Sequence, residues 1–150
     1  APGGMRQRVE SGPGGLKVIN DAYNANPRST AASLRTLGAI TSRCRVALLG
    51  DMLELGSDEE RAHRATLRLA MDLDLDLVGL VGPRYAAAAA ALAVTDRVVC
   101  APTATDLATA VAPRLHAGDI VLLKGSRGLA MERVLPRLSD LLPASPPAEA

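Results

Sequence analysis

Val18 to Thr30 reads VINDAYNANPRST, and this stretch contains the unit from which the rest of the chain is built. A short apolar run closes a strand, polar residues follow, and a helix opens at a proline. Asn26 before Pro27 has the form of a helix N-cap with proline at the first helical position. Proline has no N–H to leave unsatisfied there, and its φ is already helical. Between strand and helix, Asp21, Tyr23 and Asn24 crowd hydrogen-bonding groups into a short loop. In an alternating α/β sheet such loops are where ligands bind, and the free N–H groups of a helix start favour an anion. A well-capped turn with solvated polar residues is the competing reading at this stage.

The unit recurs along the chain. A strand over Leu16–Asn20 leads to a helix from Pro27 to about Thr41, with Ala31, Leu34, Leu37 and Ile40 on one face. Arg45–Gly50 (RVALLG) is a continuous apolar run, as expected of a strand covered on both faces. Ser57 followed by Glu60 has capping-box spacing and predicts a helix to about Asp72. Strand Asp76–Gly82, a helix from Pro83 to about Val94, and strand Arg97–Ala101 follow. Thr103 or Thr105 then caps a helix to about Leu115, and strand Asp119–Gly125 precedes a last helix from about Gly128 to Leu142. Alternation with short connections predicts an α/β fold: a Rossmann-like, mostly parallel sheet with helices on both faces. Residues 1–15 read as a linker with a short N-terminal edge strand or hairpin from MRQRVE, 16–142 as the domain, and 143–150 as a disordered tail. The opening APGG, with the first Met at position 5, reads as part of something longer.

Hydrophobic residues make up 48% of the 150, enough for one domain with a proper core. With two Tyr, no Phe and no Trp, that core must be Leu, Val, Ile and Ala. The scarcity of aromatics argues against base-stacking platforms, and a net charge of +1 without a basic tract argues against nucleic acid or an anionic membrane as partner. No apolar run reaches the length of a membrane span. Cys44 and Cys100, far apart and each at or beside a strand, read as reduced, semi-buried thiols of a cytoplasmic protein.

In a parallel sheet the five strand-to-helix loops emerge at one edge, and here they hold nearly all the chemistry. They span residues 21–26, 50–56, 82–84, 101–105 and 124–127, whereas the opposite loops (GAITSR, DLDL, AVTD, HAG) are plain. Asp51 and Glu54, between Gly50 and Gly56, either wall a site or favour the positive start of the following helix. In LLKGSRG, Lys124, Ser126 and Arg127 set two cations beside helix N–H groups, which suits a carboxylate or phosphate. The alternative is a lysine that snorkels and a serine that only caps. Other signals fail. There is no GxxxxGK[ST] phosphate loop. Asp72, Asp74 and Asp76 imitate a calcium loop, but Leu77 and Pro83 stand where glycine and glutamate are required, so no metal site is predicted. His63 and His116 are isolated, and His63 reads as a surface or helix-packing residue. Residue chemistry alone therefore describes an anion-binding edge without a visible nucleophile, either a binding domain or part of an enzyme whose chemistry lies elsewhere.

Three stretches carry more. NDAYNANP (20–27), LGDMLELG (49–56) and LLKGSRGLAME (122–132) resemble, in this order and spacing, the C-terminal domain of the Mur ligase family. Within that family they resemble the branch that adds D-Ala-D-Ala, since siblings usually carry histidine in the first motif near the position of Asn24. The resemblance runs from about Met5 to Leu142. It implies a three-domain ATP-dependent amide ligase of cytoplasmic peptidoglycan precursor synthesis. The N-terminal domain holds UDP-N-acetylmuramoyl-tripeptide, and the central domain holds the phosphate loop and Mg2+. The C-terminal domain brings D-Ala-D-Ala and closes over ATP. On this basis Asp21, Tyr23, Asn24 and Asn26 face the nucleotide, while Lys124, Ser126, Arg127, Asp51 and Glu54 line the substrate side. His63 matches a histidine of unassigned role, and Arg6 corresponds loosely to a linker arginine. The missing N-terminal and central domains imply that these 150 residues are inactive by themselves. Two alternatives stay open: a stand-alone α/β module for an anion or nucleotide, and an amide ligase of the folylpolyglutamate type.

Overall fold

The structure is a computed structural model, and it describes residues 8–144. Among these residues, six strands form one sheet in the order β1-β2-β6-β3-β4-β5. Strand β1 (Val9–Ser11) pairs antiparallel with β2 (Lys17–Asp21). The others, β3 (Arg45–Gly50), β4 (Leu77–Val81), β5 (Val98–Ala101) and β6 (Ile120–Lys124), run parallel to β2 and to one another. Helices α1 (Pro27–Ala39), α2 (Glu59–Asp72), α3 (Pro83–Leu92), α4 (Ala104–Val111) and α5 (Val134–Leu141) fill the connections and the C-terminus. The expected Rossmann-like α/β fold is what the chain adopts.

Strand order dictates the layers. Crossovers between parallel strands are right-handed almost without exception. The connections from β2 to β3, β4 and β5 run one way along the sheet, and the connection from β5 back to β6 runs the other. The core divides accordingly. Leu34 and Leu37 of α1, Leu67 of α2 and Tyr85 of α3 pack with Ile19, Leu49, Leu80 and Leu122. Leu107 of α4 with Val134 and Leu138 of α5 packs on the opposite face with Val18, Leu48, Val121 and Leu123. Alternate residues of the same strand serve opposite faces, which is why these strands read as unbroken apolar runs.

The last strand inserts between the first two parallel ones. β6 leads to one face, while its neighbours β2 and β3 lead to the other. A crevice therefore opens at the C-terminal end of β6, the switch point where α/β sheets bind ligands. Register sets Asp21 beside Lys124 and Leu49 on Lys124's other side, so three of the chemistry-bearing loops leave the sheet together.

Local expectations fare unevenly. Asn26 caps α1 in a reciprocal box with Ser29, and Thr103, not Thr105, caps α4 through the N–H of Asp106. The Ser57–Glu60 box does not form, because a 3-10 turn over Gly56–Asp58 leads into α2 and supplies no side-chain cap. The last helix does not begin at Gly128. Two 3-10 turns cover Arg127–Leu129 and Met131–Arg133 around a left-handed Ala130, and α5 starts only at Val134. The kink has a packing cause. Met131 is fully buried against Gly50 and Gly125, both too close to its thioether to carry a Cβ. Pro136 then falls in the first turn of α5, where a missing N–H costs nothing. Both cysteines are free, but Cys100 is exposed on edge strand β5 and not semi-buried. Of the expected MRQRVE strand, Val9 and Glu10 fall in β1, while residues 5–7, Arg6 among them, and tail residues 145–150 lie outside the described residues.

Candidate functional site

The residues gathered at the switch point form two layers, a buried frame and an exposed rim. At the root of the frame, Lys124 Nζ lies 2.8 Å from Asp21 Oδ2, across the β2–β6 register. Ser33 of α1 donates to the same oxygen at 2.7 Å. The lysine side chain is 5% exposed and the aspartate 28%, so the pair closes the end of the sheet and does not stand free in solvent.

Ser126 ties the loops together. Its N–H donates to Asp51 O at 3.1 Å. Its Oγ accepts from Leu53 N at 2.8 Å and donates to Ala25 O at 3.3 Å. One buried hydroxyl thus joins the β2–α1, β3–α2 and β6 loops. The serine is neither solvated nor a helix cap.

Asp51, expected on the substrate side, is placed in the frame as well. It is 0% exposed. Oδ1 accepts from Tyr85 N at 2.9 Å, while Oδ2 accepts from Arg84 N at 2.9 Å and from Arg84 Nη1 at 3.3 Å. The carboxylate therefore caps α3, not the helix that follows it in sequence, and its charge meets both a helix start and a guanidinium. Gly82, at φ 111°, leaves just enough room, since a Cβ there would lie 2.4 Å from Asp51 Cγ. Arg84 Nε also donates to Glu59 Oε1 at 2.6 Å, and that bond, ahead of Asp51, raises the guanidinium pKa above its ordinary value.

His63 of α2 is 1% exposed. Met52 N donates to its Nε2 at 3.0 Å, and its Nδ1 lies 2.7 Å from Glu59 O. A backbone N–H can only donate, so Nε2 accepts and Nδ1 carries the proton. The ring meets Tyr85 edge-on at 4.6 Å. Burial raises the pKa of Tyr85, whose hydroxyl finds no hydrogen-bond partner among the described residues. Tyr85→Phe is therefore expected to keep the fold and to raise stability by up to about 1 kcal/mol in urea denaturation. A clear loss would show that the hydroxyl is satisfied.

The rim is what a ligand can reach. Tyr23 is 74% exposed, and the guanidinium carbon of Arg127 sits 5.2 Å from its ring centroid, so the β2–α1 and β6 loops meet through a cation–π contact. Asn24 and Asn26 are exposed beside it, with Asn26 Oδ1 committed to the N–H of Ser29. Glu54 is exposed and left-handed at φ 64°, next to Gly56 at φ 57°. The structure thus brings together Asp21, Lys124, Ser126 and Asp51 as frame, and Tyr23, Asn24, Asn26, Arg127 and Glu54 as rim. Sequence reading passed over Ser33, Glu59 and Tyr85, and placed Arg84 in the 82–84 loop without giving it a role. Arg84 alone carried a signal, as a cation placed directly after the GP that opens a helix.

No three His, Cys, Asp or Glu side chains gather to hold a metal among the described residues, and none of their helices is long and apolar enough to cross a membrane.

Comparison with known proteins gives a consistent picture. Residues 5–127 match the family described as Mur ligase, glutamate ligase domain. The chain is 35% identical over 141 residues to the UDP-N-acetylmuramoyl-tripeptide–D-alanyl-D-alanine ligase of Bacillus subtilis, covering 91% of this chain and 31% of that protein. The enzyme of the same name from Treponema pallidum is 36% identical over 126 residues, 82% of this chain and 28% of that protein. Among solved structures, MurF ligase from Thermotoga maritima in complex with ADP superposes with a TM-score of 0.75 at 26% identity, covering 93% of this chain and 31% of that one. The chain thus spans about a third of the length of these relatives.

Proposed function

The chain belongs to the Mur ligase family, and we propose that it is the C-terminal domain of the ligase that joins D-Ala-D-Ala to UDP-N-acetylmuramoyl-tripeptide in peptidoglycan precursor synthesis. The observation that carries this reading is the likeness to the Bacillus subtilis ligase along 91% of the chain, motif stretches included. In this reading ATP activates the peptide carboxylate as an acyl phosphate. The dipeptide amine then attacks, and phosphate leaves. The domain's part is positional. Tyr23 offers an aromatic face and Asn24 and Asn26 offer amides toward the nucleotide, over the Asp21–Lys124 root. Arg127 is the exposed cation for the dipeptide carboxylate or the transferring phosphoryl group, and Glu54 is the exposed carboxylate of the β3–α2 loop. Lys124, Ser126 and Asp51 serve by holding these loops. Mg2+ and the phosphate loop belong to the central domain, and UDP-N-acetylmuramoyl-tripeptide to the N-terminal one. Such a nucleotide-sugar reaction is cytoplasmic.

The test is phosphate release by the full-length protein with UDP-N-acetylmuramoyl-tripeptide, ATP and Mg2+. Release is expected to require D-Ala-D-Ala, and these 150 residues alone are expected to release none. Turnover with glutamate in place of the dipeptide would favour the folylpolyglutamate type. Nucleotide binding without turnover would favour a stand-alone binding module.

A further inference from the structure

His63 touches no rim residue, yet its ring holds the loop that presents one. Loop residues Asp51, Met52 and Leu53 send three successive N–H groups to three separate elements: Val81 O at the end of β4, His63 Nε2 in α2 and Ser126 Oγ after β6. The next residue, Glu54, adopts φ 64°, a left-handed conformation that a residue with a Cβ keeps only where its surroundings over-determine it. Val81 and Ser126 anchor the loop to the sheet. His63 ties it directly to α2, the helix the loop must enter after Gly56 at φ 57°. The imidazole is fixed on both sides, by Glu59 O at Nδ1 and by the Tyr85 ring, which the Asp51 carboxylate holds in turn through Tyr85 N. His63 Nε2 is therefore one of the buried acceptor atoms that join frame and rim, beside Ser126 Oγ.

We propose that His63 is a positioning residue for the incoming dipeptide: by accepting the Met52 N–H at Nε2 it sets the β3–α2 loop so that Glu54 stands at the rim. The proposal rests on the ligase reading above. Its effect belongs to binding of the acceptor, because the loop carries a rim residue and no reacting group. Loosening the loop by an ångström at the rim weakens a polar contact there without altering the chemistry that follows.

The two amides separate the roles of the ring nitrogens. Glutamine extends its terminal amide group to the distance of Nε2, and asparagine only to that of Nδ1. In the full-length enzyme, His63→Gln is expected to keep KM for D-Ala-D-Ala within about threefold of the unaltered protein, while His63→Asn raises it about tenfold with kcat changed less than about threefold. Equal KM values for the two variants, or a fall in melting temperature and kcat with KM unmoved, would overturn the proposal. Amide exchange at Met52 provides a check independent of turnover. It is expected to be slow in the unaltered protein and in His63→Gln, and fast in His63→Asn. Fast exchange in the unaltered protein would remove the bond on which the argument stands, even if His63→Asn did not fold. A full-length protein without dipeptide-dependent turnover would sink the ligase reading instead, and the exchange measurement would still decide the role of His63.

Discussion

Asp21→Ala is expected to destabilise the 150-residue chain by about 3 kcal/mol in urea unfolding, the low end for breaking a buried ion pair by removing one partner. The reason is the lysine left behind. Lys124 has a side chain 5% exposed and its Nζ 2.8 Å from the carboxylate, so without Asp21 an ammonium is held away from water at the end of β6. The reverse change is milder. Lys124→Met fills the same space with apolar atoms and leaves a carboxylate that is 28% exposed and still bonded to Ser33. Water can solvate that group in part, and about 1–2 kcal/mol is expected. The double variant should be no worse than Asp21→Ala alone, because it removes the stranded charge together with its partner. Costs that simply added would show that the two groups do not depend on each other. Thermodynamic coupling at this pair matters for the proposed function, since the β2–α1 loop bearing Tyr23 and Asn24 begins at Asp21.

What could be read from the chain and what could not divides by distance along it. Strands β3, β4 and β6 are apolar runs bounded by turn residues, and Asn26–Pro27 and Thr103 are local caps, so each was legible in a window of a few residues. The edge that carries the chemistry followed from topology alone. The failures are long-range with one exception. The Ser57–Glu60 box has the right spacing but loses to a 3-10 turn. The last helix breaks because Met131 must enter the space left by Gly50 and Gly125. Ser126 looked like a ligand group or a cap, and its partner Leu53 lies 73 residues away. Asp51 was weighed as a substrate contact or as a charge favouring the next helix. It does cap a helix, but α3, whose Arg84 N–H lies 33 residues away. No local pattern contains those partners.

Asp51→Asn is expected to cost about as much as Asp51→Ala, roughly 3 kcal/mol: a lost cap and a buried donor left unpaired. An isosteric change usually rescues a buried polar residue, but here the geometry forbids it. Both carboxylate oxygens accept, Oδ1 from Tyr85 N and Oδ2 from Arg84 N and its guanidinium. An asparagine has one oxygen for these donors and sets an NH2 against the remaining N–H. The site cannot move to accommodate it, because Gly82 stands too close for even a Cβ. Losing the negative charge also leaves Arg84 with Glu59 as its only ionic partner among the described residues. The same experiment separates the two roles once open to this residue. If Asp51 acted by touching the dipeptide, the asparagine variant would keep its unfolding midpoint and lose activity alone. If it acts by holding α3 against the β3–α2 loop, stability falls first, and activity in the full-length enzyme follows from a loop no longer anchored to α3.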